Sequence, residues 1–142
     1  MIEVSPFIQF DGKCEAAFTF YKSVFGGDFE FLYRYKDIPA ETPLPESDKE
    51  KIMHISLPLM KSINLLGTDI LNTTTTTQKT VNRITIGIRT NNEEETIRLF
   101  NALAEGGKVI QHLQKEFFAD LFGSVTDKFG INWSFNCNIG RE

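Results

Sequence analysis

Apolar residues in the first half of the chain follow two different periods. From Lys13 to Phe25 they recur every three or four positions, which is the spacing of one face of an α-helix. Gly26-Gly27 ends this helix, because glycine adopts left-handed backbone angles without a Cβ penalty. Aromatic residues occupy every second position from Phe29 to Tyr35, which predicts a strand with one aromatic face. The residues expected on the buried helix stripe are Cys14, Ala17, Phe18, Tyr21 and Phe25.

Three further strands and two irregular segments complete the first half. The apolar run from Pro6 to Phe10 predicts the first strand, and Ile52–Leu59 and Ser62–Leu66 predict the last two. Residues 37–50 contain three prolines among acidic and small residues, which favours an irregular loop. Residues 67–79 contain five consecutive threonines without an amphipathic period, which favours a solvated connector. The first half therefore has the order βαβββ.

The second half repeats this order. Isoleucines alternate with other residues from Arg83 to Arg89, which predicts a strand. Asn91 and Asn92 can cap a helix whose first turn holds three glutamates, and Gly106-Gly107 ends that helix. Its buried stripe is expected at Ile97, Phe100 and Leu103. Three more strands are predicted at Lys108–Leu113, Leu121–Thr126 and Ile131–Cys137.

A shift of 80 residues superimposes the two halves of the sequence. It places Phe20 on Phe100 and Gly26-Gly27 on Gly106-Gly107. With 142 residues, the chain has the size of one domain with one hydrophobic core. We therefore expect a single α+β domain over residues 1–142. Its two tandem βαβββ units lie at 4–66 and 81–138, and a linker at 67–80 joins them.

Composition and charge exclude several functions. The chain has 15 basic and 19 acidic residues, a net charge of −4 and no cluster of Lys and Arg, so we expect no nucleic-acid partner. No stretch reaches the length of a membrane span, and the first residues enter a strand pattern without a basic start and an apolar run. We therefore expect a cytoplasmic protein with no membrane partner. In such a protein Cys14 and Cys137 are expected to be buried thiols rather than a disulfide.

Four stretches resemble one protein family. They are FYKSVFGG at 20–27, KIMH at 51–54, LAEGGKV at 103–109 and TDKFGINW at 126–133. Together with the tandem units, they resemble the PhnB-like branch of the vicinal oxygen chelate superfamily, which also contains glyoxalases, bleomycin-resistance proteins and dioxygenases. The resemblance implies concave, antiparallel-rich sheets with the helices on their convex side. It also implies a homodimer, because proteins of this plan commonly pair their units across a two-fold axis.

Some relatives in this branch are described as 3-demethylubiquinone methyltransferases. A site for a methyl donor usually includes a Gly-rich turn after the first strand of a doubly wound sheet. This chain has Asp11-Gly12-Lys13 at that point and lacks a regular alternation of strands and helices. We therefore expect neither methyltransferase activity nor a cofactor.

Metal enzymes of the superfamily place four ligands on the concave surface. In this chain the matching positions fall at or next to Pro6, Asn64, Arg83 and Ser134. A divalent metal needs imidazole or carboxylate donors, whereas Arg83 would bring a fixed positive charge. The only two histidines, His54 and His112, lie in different halves without a carboxylate at a recognisable ligand spacing. The resemblance therefore implies that the usual metal site is absent.

Strand alternation predicts a polar face on the sheets. The residues expected to face the helices are Met53, Ile55, Leu57, Ile84, Ile86, Ile88, Trp133, Phe135 and Cys137. The opposite face then carries His54, Ser56, Arg83, Thr85, Asn132, Ser134 and Asn136. Such a face suits a small polar or anionic ligand, which Arg83 could bind through a two-pronged contact. It is equally typical of a sheet surface that faces water.

The candidate ligand-binding residues are His54, Asn64, Arg83, Thr85, Ser134 and Asn136. His54 is also the one catalytic candidate, as a general base. The leading hypothesis is a metal-free protein that binds a small molecule. The alternative is a metal-dependent lyase or isomerase of glyoxalase type, or a dioxygenase, and a structural or interaction module is the third possibility.

Overall fold

In a computed structural model of the chain, the described residues are 3, 5–37, 43–60, 63–71 and 84–139. The chain separates into two compact units, residues 1–77 and 78–142. Each unit contains one four-stranded sheet. No helix in these described ranges is long and apolar enough to cross a membrane.

Unit one contains β1 (Phe7–Phe10), α1 (Cys14–Phe25), β2 (Phe31–Arg34), α2 (Glu46–Lys49), β3 (Ile52–Leu59) and β4 (Ile63–Asp69). The strand order is β1-β4-β3-β2, in which β1 runs parallel to β4 and the other neighbours are antiparallel. Residues 37–50 were predicted to form an irregular loop. This prediction is wrong at Glu46–Lys49, which form the short helix α2 after Pro45. The predicted connector also begins too early, since Gly67, Thr68 and Asp69 belong to β4. Ser62 and the five threonines lie outside the described residues.

Unit two contains β5 (Thr85–Thr90), α3 (Glu93–Ala104), β6 (Lys108–Glu116), β7 (Ala119–Thr126) and β8 (Asn132–Cys137). Its strand order is β5-β8-β7-β6, and again only the first pair is parallel. Both units therefore have the same βαβββ plan, and the predicted α+β fold with antiparallel-rich sheets is confirmed.

In unit one, α1 packs on the sheet at Gly67. A Cβ atom at Gly67 would collide with the ring of Phe18 and lie 3.0 Å from Sγ of Cys14. Only glycine therefore lets the helix approach β4 this closely. Asp69 joins the start of α1 to β3, because its carboxylate accepts hydrogen bonds from the backbone N–H groups of Cys14 and Ile52, both at 2.9 Å.

The predicted stripe of α1 is confirmed at Cys14, Ala17, Phe18 and Tyr21, which are all buried. The prediction is wrong at the end of the stripe, because Val24 is buried while Phe25 is only half-buried. Val24 lies three residues after Tyr21, which keeps it on the same face of the helix. Cys14 and Cys137 are buried free thiols.

The buried stripe of α3 differs more from its prediction. Phe100 and Leu103 are buried as expected, but Ile97 is 41% exposed and Thr96 is fully buried. Thr96 tolerates burial because its hydroxyl donates to the backbone oxygen of Asn92 at 2.6 Å and lies 2.5 Å from the hydroxyl of Thr90. A hydroxyl satisfied in this way packs like a small apolar group.

A single offset does not relate the two units. Three residues separate β1 from α1, whereas only Asn91 and Asn92 separate β5 from α3. The first strands of the two units therefore end at an offset of 80, but the helices begin and end at an offset of 79. Phe100 consequently matches Tyr21, which is fully buried, and not Phe20, which is half-buried. The predicted equivalence of Phe20 and Phe100 is wrong for this reason.

We expect Asn92→Ala to lower the free energy of unfolding by about 1 kcal/mol. The side-chain oxygen of Asn92 accepts a hydrogen bond from the backbone N–H of Glu95 at 2.8 Å, so it caps α3. Urea denaturation followed by circular dichroism measures the change. Asn91→Ala is the matched control, since Asn91 is exposed and does not cap the helix. Equal losses in the two variants would contradict the assignment of the cap.

Candidate functional site

Strand register determines which side chains lie on the face of unit one away from α1. Gly67 faces α1 and pairs with Ile55 and Ile8, so these residues share the helix side. The residues between them along each strand point the other way. This opposite surface, here called the aromatic face, carries Phe7, Phe31, Tyr33, His54, Ser56 and Leu66.

Four rings lie in sequence across the aromatic face. The ring centroids are 5.4 Å apart for Phe7 and His54 and 5.1 Å apart for His54 and Phe31. Phe31 then stacks on Tyr33, with centroids 5.3 Å apart and an angle of 28° between the ring planes. Phe7 and Tyr33, at the two ends, are 48% and 49% exposed. The face therefore presents accessible aromatic surface at both ends and a histidine near its centre.

Two polar groups on the aromatic face lack partners within the described part of the chain. Ser56 is fully buried, and its hydroxyl has no hydrogen-bond partner there. Register places Ser56 in one cross-strand row with Phe31 on one side and Leu66 and Phe7 on the other. The imidazole of His54 is half-buried between two phenyl rings, and the described residues form ring contacts with it but no hydrogen bond.

The corresponding surface of unit two is polar. Phe135 faces α3, because its ring packs edge to face on Phe100 with centroids 5.6 Å apart. The opposite surface, here called the polar face, is polar apart from Phe122 and carries Thr85, Arg89, Phe122, Ser124, Thr126, Asn132, Ser134 and Asn136. Asn132 accepts a hydrogen bond from the hydroxyl of Thr126 at 2.7 Å. Asn136 accepts one from Nδ2 of Asn138 at 2.6 Å.

Arg89 is a cation on the polar face. It is exposed, pairs in register with Asn136, and forms no hydrogen bond or ion pair with the residues that the structure describes. The same alternation predicted Arg83 as the cation that binds the ligand, but Arg83 lies outside the described residues. The signal for Arg89 was available, since it occupies the last polar position of the same strand.

The six predicted ligand-binding residues divide between the units. His54 lies on the aromatic face. Asn64 of β4, which pairs with Pro58 of β3, points to the same side. Thr85, Ser134 and Asn136 lie together on the polar face. The aromatic side chains around His54 were missed, although the period-two pattern of β2 showed that Phe31 and Tyr33 share a face.

Two residues predicted to face the helices do not do so. Ile84 is 76% exposed because it lies before β5 begins. Met53 is half-buried beside the irregular pairing of β2 with β3, where the neighbouring Ile52 takes the buried position instead. A one-residue irregularity of this kind reverses the face of the residues beyond it.

The residues at the superfamily's metal positions do not fit a divalent metal. Pro6 has no donor side chain, and Asn64 and Ser134 offer only neutral oxygens. Among the residues that the structure describes, no three His, Cys, Asp or Glu side chains form a group that could hold a metal ion. His54 and His112 belong to different units, and His112 is exposed on β6.

Cys14 does not have the character of a nucleophile. Burial, and after it the nearby carboxylates of Asp69 and Glu15, raise the pKa of the Cys14 thiol far above its ordinary value. The thiol therefore stays protonated at neutral pH, and the thiolate is the reactive form of cysteine. Its role is to pack against Gly67.

Comparison with known proteins identifies the family. Residues 2–135 match the family described as 3-demethylubiquinone-9 3-methyltransferase. The chain belongs to this family. One relative of this PhnB-like chain is protein PA1353 from Pseudomonas aeruginosa, whose crystal structure is 33% identical in sequence and covers 98% of this chain and 99% of that one, with a TM-score of 0.84.

Three further proteins are similar to this chain. Protein YjdN of Escherichia coli K12 is 26% identical over 137 residues, which are 94% of this chain and 93% of YjdN. A PhnB protein from Bacillus cereus, described as a putative 3-demethylubiquinone-9 3-methyltransferase, is 22% identical over 96% of this chain and all of that one, with a TM-score of 0.78. A glyoxalase-related enzyme from Fulvimarina pelagi, at 18% identity, covers 96% of this chain and 89% of that one and shares the fold, with a TM-score of 0.60.

Proposed function

We propose that this PhnB-like protein binds a small molecule without a metal ion. The observation that carries the proposal is the aromatic face, where His54 lies among partly exposed rings and forms no hydrogen bond within the described part of the chain. Binding sites for small molecules combine apolar and aromatic walls with a few polar groups that fix orientation, and this surface has that composition. The side chains at the superfamily's metal positions support the metal-free part of the proposal.

The polar face of unit two, taken by itself, supports binding of a small polar or anionic ligand. Arg89 is a permanent cation with a planar set of donors, which suits a carboxylate or a phosphate. The neighbouring Asn136, Ser134 and Thr85 add neutral hydrogen-bonding groups along the same surface. In this proposal Arg89 has the role that sequence analysis gave to Arg83.

Methyl transfer, which the family description names, is not part of the proposal. Methyl donors usually bind at a Gly-rich turn in a doubly wound parallel sheet. In this chain Asp11-Gly12-Lys13 follows β1, and each described sheet has one parallel pair and two antiparallel pairs. The proposal also includes a cytoplasmic location and a homodimer, and the resemblance to the superfamily supports the homodimer.

A thermal-shift screen of small metabolites and natural products tests the proposal. We expect at least one compound to raise the melting temperature of chelator-treated protein, because a ligand that binds only the native state stabilises it. S-adenosylmethionine, included in the screen, should produce no shift. Elemental analysis of protein purified without a chelator or a metal-affinity tag should find no stoichiometric zinc, nickel, iron or manganese. A stoichiometric metal would overturn the metal-free proposal and favour a metal-dependent enzyme.

A further inference from the structure

We infer that the aromatic face of unit one binds a planar aromatic group that carries a hydrogen-bonding substituent. This inference rests on the proposed function and specifies the class of ligand. Its basis is the combination of three features on one surface: a row of rings, an imidazole that forms no hydrogen bond with the described residues, and a buried hydroxyl that has no partner among them.

The rings favour a flat ligand over a merely apolar one. Phe31 and Tyr33 stack at 28°, and Tyr33 leaves about half of its surface exposed at the end of the row. A planar ring laid against Tyr33 would extend the stack with the offset geometry that aromatic pairs prefer. A saturated ring of the same carbon skeleton is thicker and has no π-face, so it loses this interaction.

His54 supplies the polar contact. A neutral imidazole has one donor nitrogen and one acceptor nitrogen, so it can bond a hydroxyl in either direction. Phe7 and Phe31 hold the imidazole from two sides, with centroid distances of 5.4 and 5.1 Å. A ring held in place by packing loses little freedom when it forms a hydrogen bond, which favours selective recognition.

Ser56 indicates that the same surface is built for more than packing. Buried hydroxyl groups are normally hydrogen-bonded, and a hydroxyl without a partner reduces stability. Ser56 lies in the row between Phe31 and Leu66, directly beside the rings. If this surface served only for packing, a residue without a hydroxyl, such as alanine, would avoid the unpaired polar group.

Three probes with closely related skeletons test the inference by ligand-observed NMR. They are 2-naphthol, decahydro-2-naphthol, which keeps the hydroxyl but is not planar, and 2-methylnaphthalene, which is planar but has no hydroxyl. We expect 2-naphthol to bind about tenfold more tightly than decahydro-2-naphthol. This ratio of affinities corresponds to the upper end of the energies measured for aromatic pairs. We expect a preference of roughly three- to tenfold over 2-methylnaphthalene, which corresponds to one hydrogen bond.

Two variants locate the binding on the aromatic face. Tyr33→Ser should weaken 2-naphthol about tenfold, whereas Phe117→Ser, which removes an exposed aromatic ring from unit two, should change nothing. His54→Phe keeps a ring at this position, so 2-methylnaphthalene should still bind while the preference for 2-naphthol disappears. Circular dichroism melts verify that each variant is folded.

Several outcomes would overturn the inference. Equal affinities for 2-naphthol and decahydro-2-naphthol would do so, as would equal effects of Tyr33→Ser and Phe117→Ser. If no probe binds and Tyr33→Ser lowers the mass measured by light scattering, the face is a contact between copies of the chain. If the screen finds ligands but none competes with 2-naphthol, the proposed function stands and this inference fails. If neither the screen nor the probes show binding, both fail.

Discussion

Phe100→Ala should lower the free energy of unfolding by about 3–5 kcal/mol. Phe100 is only 5% exposed, and its ring packs edge to face on that of Phe135, which is fully buried in β8. Removing the ring leaves a cavity between α3 and the sheet, and rigid strands close such a cavity only in part. Urea denaturation followed by circular dichroism measures the loss.

Glu94→Ala is the matched control on the same helix. Glu94 is exposed in the first turn, so its replacement should change the free energy of unfolding by less than about 0.5 kcal/mol. Equal midpoints for the two variants would mean that α3 presents a different face to its sheet.

Asp127→Ala should lower the free energy of unfolding by about 3 kcal/mol or more, since it leaves three donors without their partner. One carboxylate oxygen of Asp127 accepts from the backbone N–H groups of Phe129 and Ile131, at 2.8 and 3.0 Å. The other accepts from Nε1 of Trp133 at 2.9 Å. The carboxylate of Asp127 therefore stabilises the turn between β7 and β8 and orients the ring of Trp133.

Two comparisons isolate this effect in urea denaturation. Asp127→Asn keeps the size and one side-chain oxygen, so its loss should be smaller than that of Asp127→Ala. Asp28→Ala removes an exposed aspartate that forms an ion pair with Lys22 at 3.4 Å, and surface pairs of this kind contribute about 0–1 kcal/mol. A loss for Asp127→Ala no larger than that for Asp28→Ala would contradict the proposed role of the carboxylate.

Most of the fold could be predicted because each element has a clear period. The bounds of β3 were predicted at Ile52–Leu59, as observed, because apolar residues recur from Ile52 to Leu59 and Pro58 does not end the strand. The burial of Thr96 in place of Ile97 could not be predicted from hydrophobicity. It depends on hydrogen bonds to Asn92 and Thr90, which exist only once the helix has formed against β5.

Less of the candidate site could be predicted, because alternation shows which residues share a face but not which face meets the helix. The pattern predicted one aromatic face that contains Phe31 and Tyr33, and only the register with His54 places this face on the side away from α1. The close approach of α1 at Gly67 determines the orientation of the whole sheet. That approach depends on a contact between residues 49 positions apart in sequence, Phe18 and Gly67, which no local pattern reveals.

Trp133 gives the molecule a spectroscopic probe of one unit. It is the only tryptophan of the chain, and it is fully buried in β8, so its emission reports on unit two alone. Circular dichroism, in contrast, reports on α1 and α3 together, and hence on both units. Unfolding curves from the two signals coincide if the units unfold as one cooperative body and separate if they do not. Unit two can thus be followed separately from the whole chain in one sample without introducing a label.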